Sequence, residues 1–341
     1  MSTRTPTAGR THRMSSVACL ALSMTTALFS GNAASQQATW KPERNVEIVV
    51  GSGPGGGLDR VARTMQQIWQ AKKTIPVAVN VANRPGGSGT IGYQYLNTRP
   101  GDAHYLAITS PTMLTNHIVG TSKLSYTELT PVALLSSDYM IISVKAESPI
   151  RTGREFIERL RKDPGSLSIA IGSVVGGTSH IGIASVLKAG GVDVKKIKTV
   201  VFKSGAENVT ALLGGHVDAV VGPSDQGLAQ VQAGRMRVLG VTSAQRLTGP
   251  LAQVPTWKEQ GVDVLASNWR GVSGPTKLTP PQLAYWDGVM SGLVETEEWK
   301  AESEKNLWVN SYRNSADTRK FLDTEYTQLK AILVEIGLAQ Q

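Results

Sequence analysis

The chain has 341 residues, 40% of them hydrophobic, with a formal charge of +9, five histidines and a single cysteine. One cysteine precludes an internal disulfide, and so few histidines leave no Cys/His set for structural zinc. The densest basic runs, RLRK at 159–162 and KKIK at 195–198, have no aromatic neighbours, which argues against nucleic-acid binding, where positive charge is interleaved with stacking rings.

Arg4, Arg10 and Arg13 open the chain, and no acidic residue precedes Glu43. An apolar run from Val17 to Phe29 and the small-residue patch SGNAAS (30–35) follow. This is the pattern of a secretory signal peptide, residues 1–34, cleaved near Ala34. A run of thirteen residues is too short to span a bilayer. Cys19 stands near the start of the run with Ser16 three positions before it, which does not fit a lipid-anchor site. Without the three leader arginines the charge is about +6, a mildly basic surface that attracts small anions. The remaining chain is longer than one hydrophobic core usually supports, so two domains are expected.

From residue 46 onward, short β-type runs alternate with helical periodicity. Strands are predicted at 46–50, 77–81, 105–109, 168–171, 199–202, 217–221 and 237–242, with helices such as 58–69 and 178–188 between them. Thr152 with Glu155, Ser204 with Glu207, and the run Thr279-Pro280-Pro281-Gln282 are helix-start signals. Alternation of this kind predicts an α/β fold with mainly parallel sheets. Two long extended runs, 130–148 and 262–275, interrupt it, and after the second the chain reads as helical almost to its end. Read as interdomain crossings, they divide the mature chain into domain 1 (44–143 plus 265–341) and an inserted domain 2 (144–264). A ligand cleft would lie between the two lobes.

The first predicted turn, GSGPGGG at 51–57, satisfies the dinucleotide spacing G-x-G-x-x-G through Gly51, Gly53 and Gly56. The next strand ends VNVANR without the carboxylate that would hold a ribose, although Arg84 could meet a 2′-phosphate. Export argues further against a nicotinamide enzyme. The turn instead reads as an anion site, with backbone N–H groups and the positive end of a helix dipole at the strand's C-terminal side, and Asp59 able to cap the first turn. Similar turns follow other strands: NRPGGSGT (83–90), Ser110-Pro-Thr112, GSVVGGTSH (172–180) and GPSD (222–225). Thr178 and Ser179 are placed to cap a helix. Ser110 and Thr112 either reach a ligand or cap the third helix. No spaced carboxylate pair suggests acid–base catalysis, and no G-x-S-x-G elbow suggests a hydrolase. These residues describe a non-enzymatic two-lobed receptor for a small carboxylate or similar anion, with an exported α/β enzyme or a sensor-feeding binding protein as the other readings.

The segments VEIVVGSGPGGGLDRVARTM, VNVANRPGGSGTIGYQYL, GGTSHIGIASVLKAGGV, GGHVDAVVGP, VQAGRMRVLGVTSAQR and NWRGVSGP, taken in order, resemble the TctC/Bug family, the periplasmic solute-binding proteins of tripartite tricarboxylate transporters. The resemblance implies a type II-like Venus-flytrap fold with an interdomain ligand cleft. It also implies an organic carboxylate ligand such as a di- or tricarboxylate, a membrane permease as partner, a monomer, and no cofactor. By matching motif it assigns ligand contacts to Ser52, Pro54, Gly55, Gly56 and Asp59 in the first domain. In the second it assigns Ser173, Thr178, Ser179 and His180, together with Ser224 and Asp225. The chain departs from the family in having Leu58 where a hydroxyl residue is common. At the second crossing, Trp269 and Arg270 either line the cleft or mark a hinge whose tryptophan packs into the core. His180 reads as either a carboxylate donor or a packing residue.

Overall fold

The computed structural model describes residues 40–172, 176–202 and 204–339; the signal peptide expected at 1–34 and the expected site residue Ser173 lie outside them. The order of the first lobe is β1 (Val46–Val50), α1 (Gly57–Lys72), β2 (Val79–Asn83), α2 (Thr90–Asn97), β3 (Tyr105–Thr109) and α3 (Thr112–Ile118). Strand β1 pairs in parallel with both β2 and β3. Its residues Val46, Ile48, Val49 and Val50 are fully buried, as expected where helices cover both faces of a parallel sheet.

β4 (Thr130–Lys145) is the long extended run that the sequence marks as a crossing. It is followed by α4 (Gly153–Lys162), β5 (Ser168–Gly172), α5 (Thr178–Ala189), β6 (Lys198–Phe202), α6 (Gly205–Leu213), β7 (Ala219–Pro223), α7 (Leu228–Gln232) and β8 (Met236–Val241). Strands β5, β6 and β7 form the second parallel set. The chain then returns through β9 (Ser267–Gly274) to α8 (Pro280–Val294), α9 (Glu297–Lys305), β10 (Val309–Arg313) and α10 (Ser315–Glu335).

β4 joins the two sheets. Residues Thr130–Tyr139 pair antiparallel with β9, whereas Met140–Val144 pair with β7 and Met140's neighbours also meet β8. The crossing strands therefore add antiparallel edges to two parallel cores, giving mixed sheets. A separate apolar cluster fills each lobe, one around Ile48, Met65 and Trp286 and the other around Phe156, Ile169 and Trp257. A third spans both, bringing Ile181 of α5 together with Val49, Trp269, Leu329 and Leu333.

Several expectations change in detail. β2 and β7 each end two residues later than their apolar runs, because pairing with β1 and β4 carries Asn83 and Pro223 into the sheets. The C-terminal part is not continuously helical: β10 adds an edge to β4. Thr152 and Ser204 do cap α4 and α6, accepting from the Glu155 and Glu207 amides at 3.2 Å each.

Candidate functional site

The turn after β1 is built around a carboxylate. Gly55 has φ +79°, a conformation open to glycine and costly for residues with a Cβ, and Gly56 is the extended N-cap of α1. Asp59, 1% exposed, folds back from the first helical turn. Its Oδ2 accepts from the Gly55 amide and from Arg63 Nε, each at 2.8 Å, and its Oδ1 accepts from Asn83 Nδ2 at 2.8 Å. Burial alone would raise its pKa, but the donors from Arg63, Gly55 and Asn83 hold it below the usual carboxylate value. Asp59 is thus committed to the turn. No side chain caps α1, and its first internal bond comes from the Arg60 amide, so the preceding amides point outward as donors. Pro54 and Gly55 form the exposed tip. Ser52 turns its hydroxyl inward, where it is buried without a hydrogen-bond partner.

The second lobe repeats this construction. Gly176 has φ +81°, Gly177 is an extended N-cap, and α5 begins at Thr178 with no side-chain cap. His180, at the helical position equivalent to Asp59, accepts from the Gly176 amide at 2.9 Å through Nδ1. It is 7% exposed, and burial lowers its pKa. The expectation that Thr178 and Ser179 cap the helix is therefore corrected: Gly177 occupies the cap position, and both hydroxyls lie inside the first turn. Ser179 Oγ and the Asn208 amide both approach Gly172 at the end of β5, 3.9 and 3.7 Å from where its Cβ would stand. Asn208 is fully buried with neither amide atom bonded.

The crossing strands contribute charge. Arg270 on β9 is 8% exposed and donates through Nη2 to Asp138 of β4 at 3.2 Å. Its Nη1 is held by the Asn268 side chain and backbone at 2.7 and 3.0 Å. Burial raises the Asp138 pKa; Arg270 opposes that shift and Asp225 adds to it. The exposed Asp225 is thereby placed electrically beside the crossing, whereas Ser224 is buried with its hydroxyl unpaired. Ser110 and Thr112 share a 2.9 Å hydroxyl pair and do not cap α3, whose cap position is Pro111. They face the buried Tyr93 hydroxyl, whose pKa burial pushes up.

The expected residues thus fall into four groups: the first turn, the Ser110–Thr112 pair, the start of α5, and Ser224 with Asp225. Tyr93, Asp138 and Asn208 are additions from the structure, and they join Arg270, which the sequence marks as a cleft candidate. Buried polar atoms are normally hydrogen-bonded, and each orphan costs about 1–3 kcal/mol. Among the buried polar atoms without a partner are Ser52 Oγ after β1, Ser224 Oγ after β7, Arg270 Nε and Asp138 Oδ1 on the crossing strands, and both Asn208 amide atoms in α6. The arrangement offers donors to an anion. Among the described residues no acidic, histidine or cysteine cluster could hold a metal ion.

The family model described as tripartite tricarboxylate transporter family receptor, TctC, matches residues 61–338, beginning just past the first turn. A Pseudomonas protein described as a UPF0065 protein in the tcbD–tcbE intergenic region is 30% identical over 285 residues, covering 82% of this chain and 81% of its own. The crystal structure of a TctC solute-binding protein from Polaromonas is 24% identical with a TM-score of 0.76, covering 86% of this chain and 99% of that one. A structure from R. palustris with adipate gives 23% identity and a TM-score of 0.72, over 87% and 99% of the two chains. The two-lobed periplasmic-binding fold is common to them.

Proposed function

The chain belongs to the tripartite tricarboxylate transporter receptor family, a family of periplasmic solute-binding receptors rather than enzymes, and from that premise we propose its specific role. It captures a small organic di- or tricarboxylate between its lobes (44–143 with 265–341, and 144–264) and delivers it, as a single chain, to a tripartite transporter permease. The observation that carries this reading is the pair of helix starts built alike at the ends of β1 and β5, both without a side-chain cap. Each offers outward amides and the positive end of a dipole, worth most to a negatively charged ligand group. Ser52, Gly56 and the α1 amides would meet the ligand from one lobe, with Thr178, Ser179, Asn208 and Ser224 from the other. Asp59 and His180 act by shaping their turns. Adipate, present in the R. palustris relative's structure, is a dicarboxylate and agrees with this class.

The test is a thermal-shift screen of the chain without residues 1–34 against citrate, malate, adipate, benzoate and NAD. A ligand at one hundred times its Kd stabilises by about 2.7 kcal/mol, or several degrees. A rise with one class of carboxylate is the expected result. A rise with NAD alone would restore the dinucleotide reading of the first turn and remove this one.

A further inference from the structure

Arg270 lies close to the start of α1, and its one carboxylate partner among the described residues, Asp138, reaches only Nη2. A Cβ added to Gly57, the first residue of α1, would lie 3.4 Å from Arg270 Nη2 and 4.0 Å from Nε. The Nε/Nη2 edge of the guanidinium therefore faces a helix N-terminus that no side chain caps. Both are positive, the helix end carrying the equivalent of about half a charge. Asp138 answers only Nη2, with a single oxygen. Arg270 Nε and Asp138 Oδ1 are both buried without partners, although the side chains are only 10% and 11% exposed. A guanidinium presents two parallel donors that match an oxyanion bidentately. Gly57 itself is exposed, so the buried edge lies just beneath the surface of the turn.

Resting on the receptor reading above, we propose that the Nε/Nη2 edge of Arg270 is a charge-specific clamp for one carboxylate of the cargo, seated between the guanidinium and the first amides of α1. Asp138 holds the arginine from behind and leaves Oδ1 free to accept from a donor on the same ligand. The site would then take an acid by charge as well as by backbone shape. It would prefer a free carboxylate to its ester or amide by a wide margin.

The test starts with the acid that most stabilises the wild-type chain in a panel of succinate, malate, adipate and citrate. Its Kd, and that of its monomethyl ester, are measured by titration calorimetry on wild type, Arg270→Lys, Gly57→Ala and the double variant Arg270→Gln with Asp138→Asn. The double change removes both charges together, so that no buried charge is left alone. The expected result is a loss of about thirtyfold or more in the double variant, as two charge-assisted hydrogen bonds support, and an intermediate loss for Arg270→Lys. The acid-over-ester preference should collapse in the double variant. Gly57→Ala places a methyl group against the guanidinium edge and should weaken the acid by about tenfold, with little change in the unliganded melting temperature. Wild-type binding that survives with the same Kd and the same acid-over-ester ratio in the double variant and Gly57→Ala overturns the clamp alone. If no acid in the panel binds the wild type, the receptor reading fails and takes the clamp with it.

Discussion

At the scale of single residues, Asp59 and His180 do the same work with different chemistry. Each sits in the first turn of a helix and accepts the amide of a glycine four residues earlier. A carboxylate does this at any physiological pH, but an imidazole nitrogen does so only while neutral, with its proton on Nε2. Burial lowers the His180 pKa below its ordinary value of 6.5. The unfolded chain then takes up a proton at a pH where the folded chain does not. The contribution is therefore complete above the unfolded pKa and is lost as pH falls from there toward the depressed folded value, at no more than about 1.4 kcal/mol per pH unit. His180→Asn keeps an acceptor near the Nδ1 position and removes the titration. The melting temperature of wild type should accordingly fall relative to His180→Asn between pH 7 and pH 5. Two profiles running parallel through that range would show that the His180 imidazole does not govern the turn.

At the scale of elements, the two turns depend on one backbone conformation each. A Cβ on Gly55 would meet nothing within 4 Å, so only φ, at +79°, restricts the position. Gly55→Ala should cost about 1–2 kcal/mol in urea unfolding and weaken ligand binding without disturbing the core; a neutral effect on both would mean that the turn tolerates another conformation. The turns themselves were legible in the sequence because glycine clusters follow apolar strands, and the alternation of strands and helices was legible for the same reason. Strand ends were not. Asn83 and Pro223 have little β-propensity, and only pairing with β1 and β4 draws them into the sheets. β10 was hidden because VNSYR is a polar edge segment whose pairing with β4 shifts register. Arg270 was visible as a cleft candidate, but its importance depends on a juxtaposition with Gly57 that no local pattern encodes. Asn208 had no signal at all: it is one amide in an ordinary helix, distinguished only by being buried and unbonded.

At the scale of the whole molecule, the lobes are joined by more than β4 and β9. Helix α10 packs along β4 and also against α5, where Leu329 and Leu333 receive Ile181 and Lys188 pairs with Glu335. Glu325 stands in this brace. With Pro111, Thr178 and Ser267 it lines a small cavity of about 40 Å³. Burial raises its pKa to about 7, more than the Trp269 indole and Arg313 pull it down. The folded chain therefore holds a proton that the unfolded chain has already released above its ordinary value of 4.5. Stability that Glu325 leaves intact below that value is eroded as pH rises through about 7, the opposite slope to that of His180. Glu325→Gln should raise stability at pH 8 by about 2 kcal/mol, somewhat less than the full shift implies because water reaches part of the side chain. It should change little at pH 4. Because the cavity touches α5, β9 and α10 together, the gain at pH 8 would be a gain in the contact between lobes. Equal effects of Glu325→Gln at both pH values would instead make Glu325 an ordinary surface carboxylate with no part in holding the lobes together.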